Sequence, residues 1–196
     1  MNSAAPKLPP LMTVEEFLAW PGDGSGRIYE LVEGELRAQD AARDTHGTIH
    51  AHLARIIGNH IEAARPNCRV VAAPGLQPNL RATWNYRIPE IAVTCTANRA
   101  DVHKTPDPLL VIEVLSPSNV RDTWSNIPLF ASLPSVMEIL VVDSTEVIAH
   151  LLRRKADGSW PENPTVIESG AVHLTSIDLA LTLTDIYRGT HLAIAT

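Results

Sequence analysis

Apolar residues recur at helical spacing in one long segment of the chain, residues 44–64. Residues three or four positions apart share one face of a helix, so the pattern predicts a helix with one apolar face. The apolar positions on that face are Ile49, Leu53, Ile56, Ile57 and Ile61. Pro66 follows the pattern and is expected to end the helix.

Shorter apolar runs elsewhere predict strands. These predicted strands span residues 28–32, 35–38, 68–73, 76–82, 89–93, 109–115, 137–142, 145–154 and 172–174. Short helices are predicted at 13–20 and 121–133, with a helical turn at 183–187. Because helices alternate irregularly with many strands, we expect an α/β fold with a mixed central sheet flanked by helices. Residues 1–12 contain three prolines and are expected to form a flexible N-terminal arm before a single domain at 13–196.

Two of the predicted strands carry one carboxylate each, Glu90 and Glu113. A carboxylate on a buried strand is costly unless something compensates its charge. If the two lie side by side on adjacent strands, one must hold a proton or a cation must lie between them. A divalent metal between carboxylates is the working part of many phosphodiesterases. The alternative is that both are unrelated strand-end residues that face solvent.

The composition limits the classes of partner. The chain has 196 residues, a net charge of −6 and 45% hydrophobic residues. It therefore lacks a global basic field, and any contact with nucleic acid has to come from a local patch. No apolar segment reaches the length of a membrane span or resembles a signal peptide, so we expect no membrane association and a cytoplasmic location.

Cys68 and Cys95 both lie in apolar, strand-like runs. A cysteine in such surroundings usually behaves as a small hydrophobic residue. We therefore expect two buried free thiols.

Basic residues provide a weaker signal. Arg81, Arg87, Arg99 and Lys104 flank the two carboxylate runs, and 153–155 form a short basic run. Trp84 and Tyr86 lie among the first group and could stack on bases. The alternative interpretation is a solvated loop and strand edge.

Four motifs, taken in order, resemble the Uma-two family of bacterial restriction-endonuclease-like proteins. They are Tyr29–Leu36, Pro89–Val93, Ile112–Ser118, and Leu133–Val136 followed by Leu140–Asp143. The resemblance runs from about Thr13 to Pro161, which is most of the chain. It implies the restriction-endonuclease fold, a mixed central sheet between helices, with a metal-dependent nuclease site of the type written PD-(D/E)xK.

The resemblance also implies a set of site residues. Glu30 matches the acidic residue of the first strand region, Glu90 takes the place of the aspartate in the Pro-Asp motif, and Glu113 matches the acidic residue of the third motif. His46 matches a histidine at the head of the long helix. These matches imply that Glu30, Glu90 and Glu113 bind Mg²⁺ or Mn²⁺ and that DNA is the partner.

Two departures from the family pattern bear on activity. Glu90 is one methylene longer than the usual aspartate, and Mg²⁺ tolerates little displacement of a ligand. The family lysine is also absent: Leu115 stands at its generic position, and Asn126 stands at the position in the following helix to which the family moves it. Asn126 cannot carry a positive charge or transfer a proton. Its helix face, shared with Asp122, is expected to point towards Glu113.

Two functions from different classes therefore stay open. The first is a divalent-metal-dependent DNA endonuclease in which Glu30, Glu90, Glu113 and Asn126 form the catalytic site. The second is a catalytically impaired protein of the same fold that binds DNA or a protein partner without cleavage. A third function is a homodimer whose interface is the main function. A metal site formed by His46 and His50, four residues apart, is a further alternative.

Overall fold

The structure is a computed structural model that describes residues 11–39 and 41–193. Its helices are α1 (Val14–Ala19), α2 (Asp44–Ala64), α3 (Val120–Ala131) and α4 (Leu183–Tyr187). Its strands are β1 (Tyr29–Val32), β2 (Glu35–Ala38), β3 (Arg69–Ala72), β4 (Ile91–Thr94), β5 (Pro108–Leu115), β6 (Glu138–Asp143), β7 (Ala149–Arg153), β8 (Thr165–Ile167), β9 (Ala171–Leu174) and β10 (Leu179–Thr182). Among the described residues, no helix combines the length and the apolar character that a membrane crossing requires.

The central sheet has the strand order β3-β4-β5-β6-β7-β8. Its neighbouring strands pair antiparallel except β5 and β6, which run parallel and are connected through α3. Alternate residues of β5 point to opposite faces: Ile112 packs in the core beneath α2, whereas Val111 packs in the core beneath α3. The mixed sheet flanked by helices confirms the predicted fold class.

The long helix α2 begins and ends where the apolar pattern predicts. Ile49, Leu53, Ile57 and Ile61 are buried against the sheet and α4. The shorter α1 is held by a capping box, because the Thr13 side chain accepts from the Glu16 backbone and the Glu16 carboxylate accepts from the Thr13 backbone.

The β1–β2 hairpin is fixed against the segment that precedes β4. Leu31 and Tyr86 exchange two backbone hydrogen bonds of 2.9 Å each. The Tyr86 hydroxyl donates to the carbonyl of His103 and occupies the space that a Cβ at position 75 would need, so Gly75 permits this approach. These contacts hold Glu30, on β1, beside the start of β4.

The helix α3 is anchored at its C-terminal end by residues far along the chain. The Arg154 guanidinium donates to the carbonyls of Ala131, at 3.0 Å, and Leu133, at 2.8 Å. The Trp160 indole N–H also donates to the Ala131 carbonyl, at 3.1 Å. At the other end, Asn119 forms no side-chain cap for the helix; its side chain accepts from the Ser116 N–H instead.

The predicted strand at 76–82 is wrong. Leu76 forms an isolated bridge with Arg87, and the chain then turns. Pro78 lacks a backbone N–H, and the N–H groups of Asn79 and Leu80 donate to the Ser132 hydroxyl rather than to a strand. The short strands β8 and β10 were not predicted from the sequence.

The predicted free thiols are also wrong. Cys68 and Cys95 form a disulfide, and Cys95 is exposed rather than buried. The register of β3 and β4 pairs Arg69 with Thr94, which sets the two cysteines opposite each other just beyond the paired residues. Disulfides are rare in compartments where glutathione keeps thiols reduced. A count of the free thiols in protein purified from cells would therefore test both the disulfide and the predicted cytoplasmic location.

Of the predicted N-terminal arm, residues 1–10 lie outside the described residues. Leu11 is exposed, whereas Met12 is buried and its N–H donates to the carbonyl of Gly34 at 2.8 Å.

Candidate active site

A cleft of about 510 Å³ opens between the β1–β2 hairpin, the start of α2, the segment just before β4, the end of β5 and the first turns of α3. Its walls include every residue that the sequence assigned to the site: Glu30, Glu90, Glu113, Asn126 and His46. The structure therefore brings these residues together, although they come from five separate segments of the chain.

Glu113 is the most deeply buried of the three carboxylates, with 6% of its surface exposed. The antiparallel register pairs Ile91 with Ile112, so one step further along the ladder Glu90 lies beside Glu113. Burial raises the pKa of Glu113 well above its ordinary value, and the charges of Glu30 and Glu90 raise it further. Without a cation in the cleft, Glu113 therefore retains its proton far above the usual pH range of a glutamate.

Glu90 has the opposite charge state. Burial raises its pKa, but hydrogen bonds from His46 and His50 outweigh that effect and bring the pKa to about 2. The His46 Nε2 lies 3.1 Å from one carboxylate oxygen, and the His50 Nδ1 lies 2.9 Å from the other. Burial lowers the pKa of His46, but its contacts with Glu90 raise it overall. Glu90 is thus an ionised carboxylate held by two imidazoles of α2.

The pKa of Glu30 is also raised, although less strongly than that of Glu113. The Glu30 Oε1 accepts from the Ile88 N–H at 2.6 Å, and Gln39 approaches the same oxygen at 3.5 Å. Burial raises the pKa of Glu30, while the hydrogen bond from Ile88 and the charge of Arg87 partly oppose that rise.

Asn126 faces Glu113 from α3. Its Nδ2 donates to the Glu113 Oε1 at 3.3 Å, a long hydrogen bond. Its own Oδ1 is buried without a hydrogen-bond partner among the described residues. Asp122, one helical turn earlier, also lines the cleft. This is the orientation that the sequence predicted for this helix face.

The donor set suits a divalent cation. Three carboxylates and an unpartnered amide oxygen are hard oxygen ligands of the kind that Mg²⁺ and Mn²⁺ prefer. A bound cation would also offset the charges of Glu30 and Glu90, which raise the pKa of Glu113. Among the described residues, however, no three histidine, cysteine or acidic side chains already form a ligand cluster. A carboxylate has to be deprotonated to act as a ligand, whereas burial raises the pKa of Glu113.

The contacts of His46 and His50 with Glu90 were not predicted. The spacing of the two histidines did place them on one helix face, but nothing in the local sequence identified the carboxylate opposite them. Most of the basic residues that the sequence singled out lie elsewhere: Arg99 pairs with Asp101, Lys104 donates to Gln77, and Arg154 holds the end of α3.

Comparisons with known proteins show the family and the fold of the chain. The family model Uma2, described as "Putative restriction endonuclease", matches residues 14–184. The uncharacterized protein slr1290 of Synechocystis sp. is 29% identical over 195 residues, which cover 96% of this chain and 98% of that protein. A crystal structure described as a putative nuclease belonging to DUF820, from Anabaena variabilis, has a TM-score of 0.70 at 16% identity and covers 90% of this chain and 97% of that chain. The last similarity shows the fold.

The family match covers most of the chain. It includes all four motifs and the cleft residues Glu30, His46, Glu90, Glu113 and Asn126. Restriction-endonuclease-like families generally use divalent metals. The chain belongs to the Uma2 (Uma-two) family of restriction-endonuclease-like proteins.

Proposed function

We propose that this protein is a divalent-metal-dependent DNA endonuclease that hydrolyses a phosphodiester bond in the carboxylate cleft. The observation that carries the proposal is Glu113, a buried carboxylate beside two others, whose hydrogen bonds from the Asn126 amide and the Glu90 backbone do not offset the effect of burial on its pKa. A buried acid with so little compensation is costly in a purely structural role. In a chain of nuclease fold, the same arrangement supports a site for a cation and a phosphate.

In this proposal Glu30, Glu90 and Glu113 bind Mg²⁺ or Mn²⁺. When bound, such an ion supplies an activated water and neutralises charge on the phosphate oxygens. Glu113 would hold such an ion as a carboxylate, with its proton released to solvent. The imidazoles of His46 and His50, 3.1 Å and 2.9 Å from its two oxygens, orient Glu90.

Asn126 takes the position of the family lysine, and it can orient Glu113 but cannot supply charge or a proton. General acid–base assistance of the missing kind is typically worth about 10²–10⁴-fold in rate. We therefore expect wild-type cleavage to be slow.

Nicking of supercoiled plasmid tests the proposal directly. Purified wild-type protein should nick the plasmid slowly with Mn²⁺ or Mg²⁺ and not with EDTA. Glu113→Gln should abolish nicking, and Glu62→Gln should not change it, because Glu62 is exposed on α2. Equal nicking by wild type and Glu113→Gln would contradict the proposal.

The second candidate function is DNA binding without cleavage. It is favoured by Asn126 at the lysine position and by the two histidines that hold both oxygens of Glu90. Wild-type protein that binds both Mn²⁺ and DNA, yet leaves the plasmid intact, would support this alternative.

A further inference from the structure

A second groove of about 470 Å³ adjoins the carboxylate cleft. Its basic residues are Arg37, Arg81, Arg87 and Arg121, and we call it the arginine groove. The two depressions share walls at Arg37, Arg87 and Asp122. The groove holds four guanidinium groups against the two carboxylates of Glu33 and Asp122, although the whole chain carries a net charge of −6.

The four arginines come from distant parts of the sequence. Arg37 lies on β2, Arg81 and Arg87 lie between β3 and β4, and Arg121 lies in the first turn of α3. A guanidinium group binds phosphate through two parallel N–H donors and keeps its charge at every physiological pH. A cluster of arginines beside a hydrolytic cleft therefore suits a phosphate group better than it suits an uncharged ligand.

Arg87 is the most deeply buried of the four. It is only 4% exposed, and its Nη2 donates to the Asn85 Oδ1 at 3.0 Å. Its Nε is buried without a partner among the described residues. Burial lowers its pKa, and the charge of Glu30 only partly opposes this. A buried cation of this kind is costly unless an anion completes its surroundings.

Two of the other arginines hold exposed ion pairs. Arg37 lies 3.2 Å from Asp122, and Arg81 lies 2.7 Å from Glu33. Exposed pairs of this kind contribute little free energy and exchange readily. A phosphate could therefore replace either carboxylate without a large loss of stability.

We propose that the arginine groove binds a phosphate of the DNA strand that neighbours the phosphate in the carboxylate cleft. The identity of the ligand as a DNA strand rests on the proposed function. The two sites share walls, so a single strand that passes over Arg87 and Arg37 can occupy both. The groove then supplies the local basic patch that an acidic chain needs in order to contact nucleic acid.

Fluorescence anisotropy with a labelled DNA 12-mer tests this, in single-stranded and duplex form, in EDTA and with Ca²⁺. Arg121→Gln and Arg37→Gln should each weaken binding about tenfold. Each should also reduce the slope of log K against log salt by about 0.7 for the single strand or 0.9 for the duplex. Arg188→Gln is the matched control, since Arg188 is equally an exposed arginine paired with an aspartate, Asp185. Arg87→Lys keeps the charge and should still weaken binding, because the two parallel donors are lost.

The outcomes separate this inference from the proposed function. If the groove variants bind the 12-mer like wild type, or if wild type does not bind it in either condition, the inference is wrong, whatever the plasmid assay shows. If groove variants lose affinity while wild type never nicks plasmid, the groove is supported and the endonuclease proposal fails. The Mn²⁺-induced rise in melting temperature should be the same in Arg121→Gln as in wild type, which separates phosphate binding from metal binding.

Discussion

Two buried glutamates on neighbouring parallel strands behave in opposite ways. Glu138, at the start of β6, is fully buried, and its carboxylate accepts from Arg153 at 2.6 Å, from the N–H of Thr175 at 3.1 Å and from the N–H of Ser176 at 2.8 Å. Glu113, on β5, accepts one hydrogen bond of 3.3 Å from an amide. Burial raises the pKa of Glu138 too, but the donors, Ser176 first, bring it below its ordinary value.

The difference shows that the donors around a carboxylate, and not its burial, separate a structural acid from a candidate ligand. Glu138 is satisfied and joins β6 to the turn between β9 and β10. Glu113 is left with its proton in a cleft beside two other carboxylates. The fold thus contains within one sheet both a buried acid that stabilises it and a buried acid that costs it stability.

The largest loss of stability is expected when Glu138, whose carboxylate accepts several hydrogen bonds, is replaced. Glu138→Ala leaves two backbone N–H groups without an acceptor and removes the carboxylate that pairs with Arg153. Arg153 is 44% exposed and can be hydrated instead. We expect a loss of about 3–5 kcal/mol in the free energy of unfolding, chiefly because each buried N–H group without an acceptor costs about 1–3 kcal/mol. Urea unfolding measures this, with Glu62→Ala as the control that should stay within about 0.5 kcal/mol of wild type. A loss below about 1 kcal/mol would contradict the view that Glu138 stabilises the fold whereas Glu113 does not.

A divalent metal should raise the stability of the protein through Glu113, the buried glutamate with few hydrogen-bond donors. Mn²⁺ at about 100 times its dissociation constant should add roughly 2.7 kcal/mol to the stability of the wild type. Glu113→Gln should abolish that gain, and it should be at least as stable as wild type without metal, since it removes a buried ionisable group. Thermal melts with and without Mn²⁺ decide this. A metal-induced gain that persists in Glu113→Gln would place the ion elsewhere.

The two acids should also differ in pH dependence. The pKa of Glu113 is raised in the folded protein, so the folded state holds a proton that the unfolded state releases above about pH 4.3. Its contribution therefore falls as the pH rises from about 4.3 through the folded pKa, by up to about 1.4 kcal/mol per pH unit. The lowered pKa of Glu138 has the opposite consequence, a loss as the pH falls below about 4.3. Urea unfolding of metal-free wild type and Glu113→Gln across this range should give diverging curves, and parallel curves would refute the raised pKa.

The smallest change in stability is expected from giving Glu113 a cationic partner. Asn126→Lys supplies the kind of donor that Arg153 supplies to Glu138, so it should lower the pKa of Glu113 and flatten the pH dependence. We expect its stability to stay within about 1 kcal/mol of wild type. Mn²⁺-dependent plasmid nicking should rise above wild type, and further when Glu90→Asp is added. Unchanged nicking in the double variant, despite measured Mn²⁺ binding, would favour a binding-only role.

Much of the fold could be predicted because its main elements have strong local patterns. The helix α2 has 21 residues and one apolar stripe, and β5 is a continuous apolar run with one interruption at Glu113. The Cys68–Cys95 disulfide could not be predicted, because its residues are 27 positions apart and only the strand register pairs them. The strand β8, of three residues, is too short for a periodic pattern to identify.

The candidate site was only partly predictable. Local pattern alone indicated Glu90 and Glu113, and the family resemblance added Glu30 and Asn126. The pairing of His46 and His50 with Glu90 depends on how α2 crosses the sheet, which spacing along the chain does not specify. The arginine groove depends on the same kind of long-range packing.

The anchoring of α3 has a consequence for how such a protein could change over generations. The helix is held from its far end, where Arg154 and Trp160 bind its last carbonyls, and its cleft end has no side-chain cap to lose. A substitution on the cleft-facing side of its first two turns therefore leaves these contacts at the far end intact. Over generations a lineage could replace Asn126 by lysine, or a lysine there by asparagine. It would gain or lose the catalytic contribution of the lysine while the fold is kept.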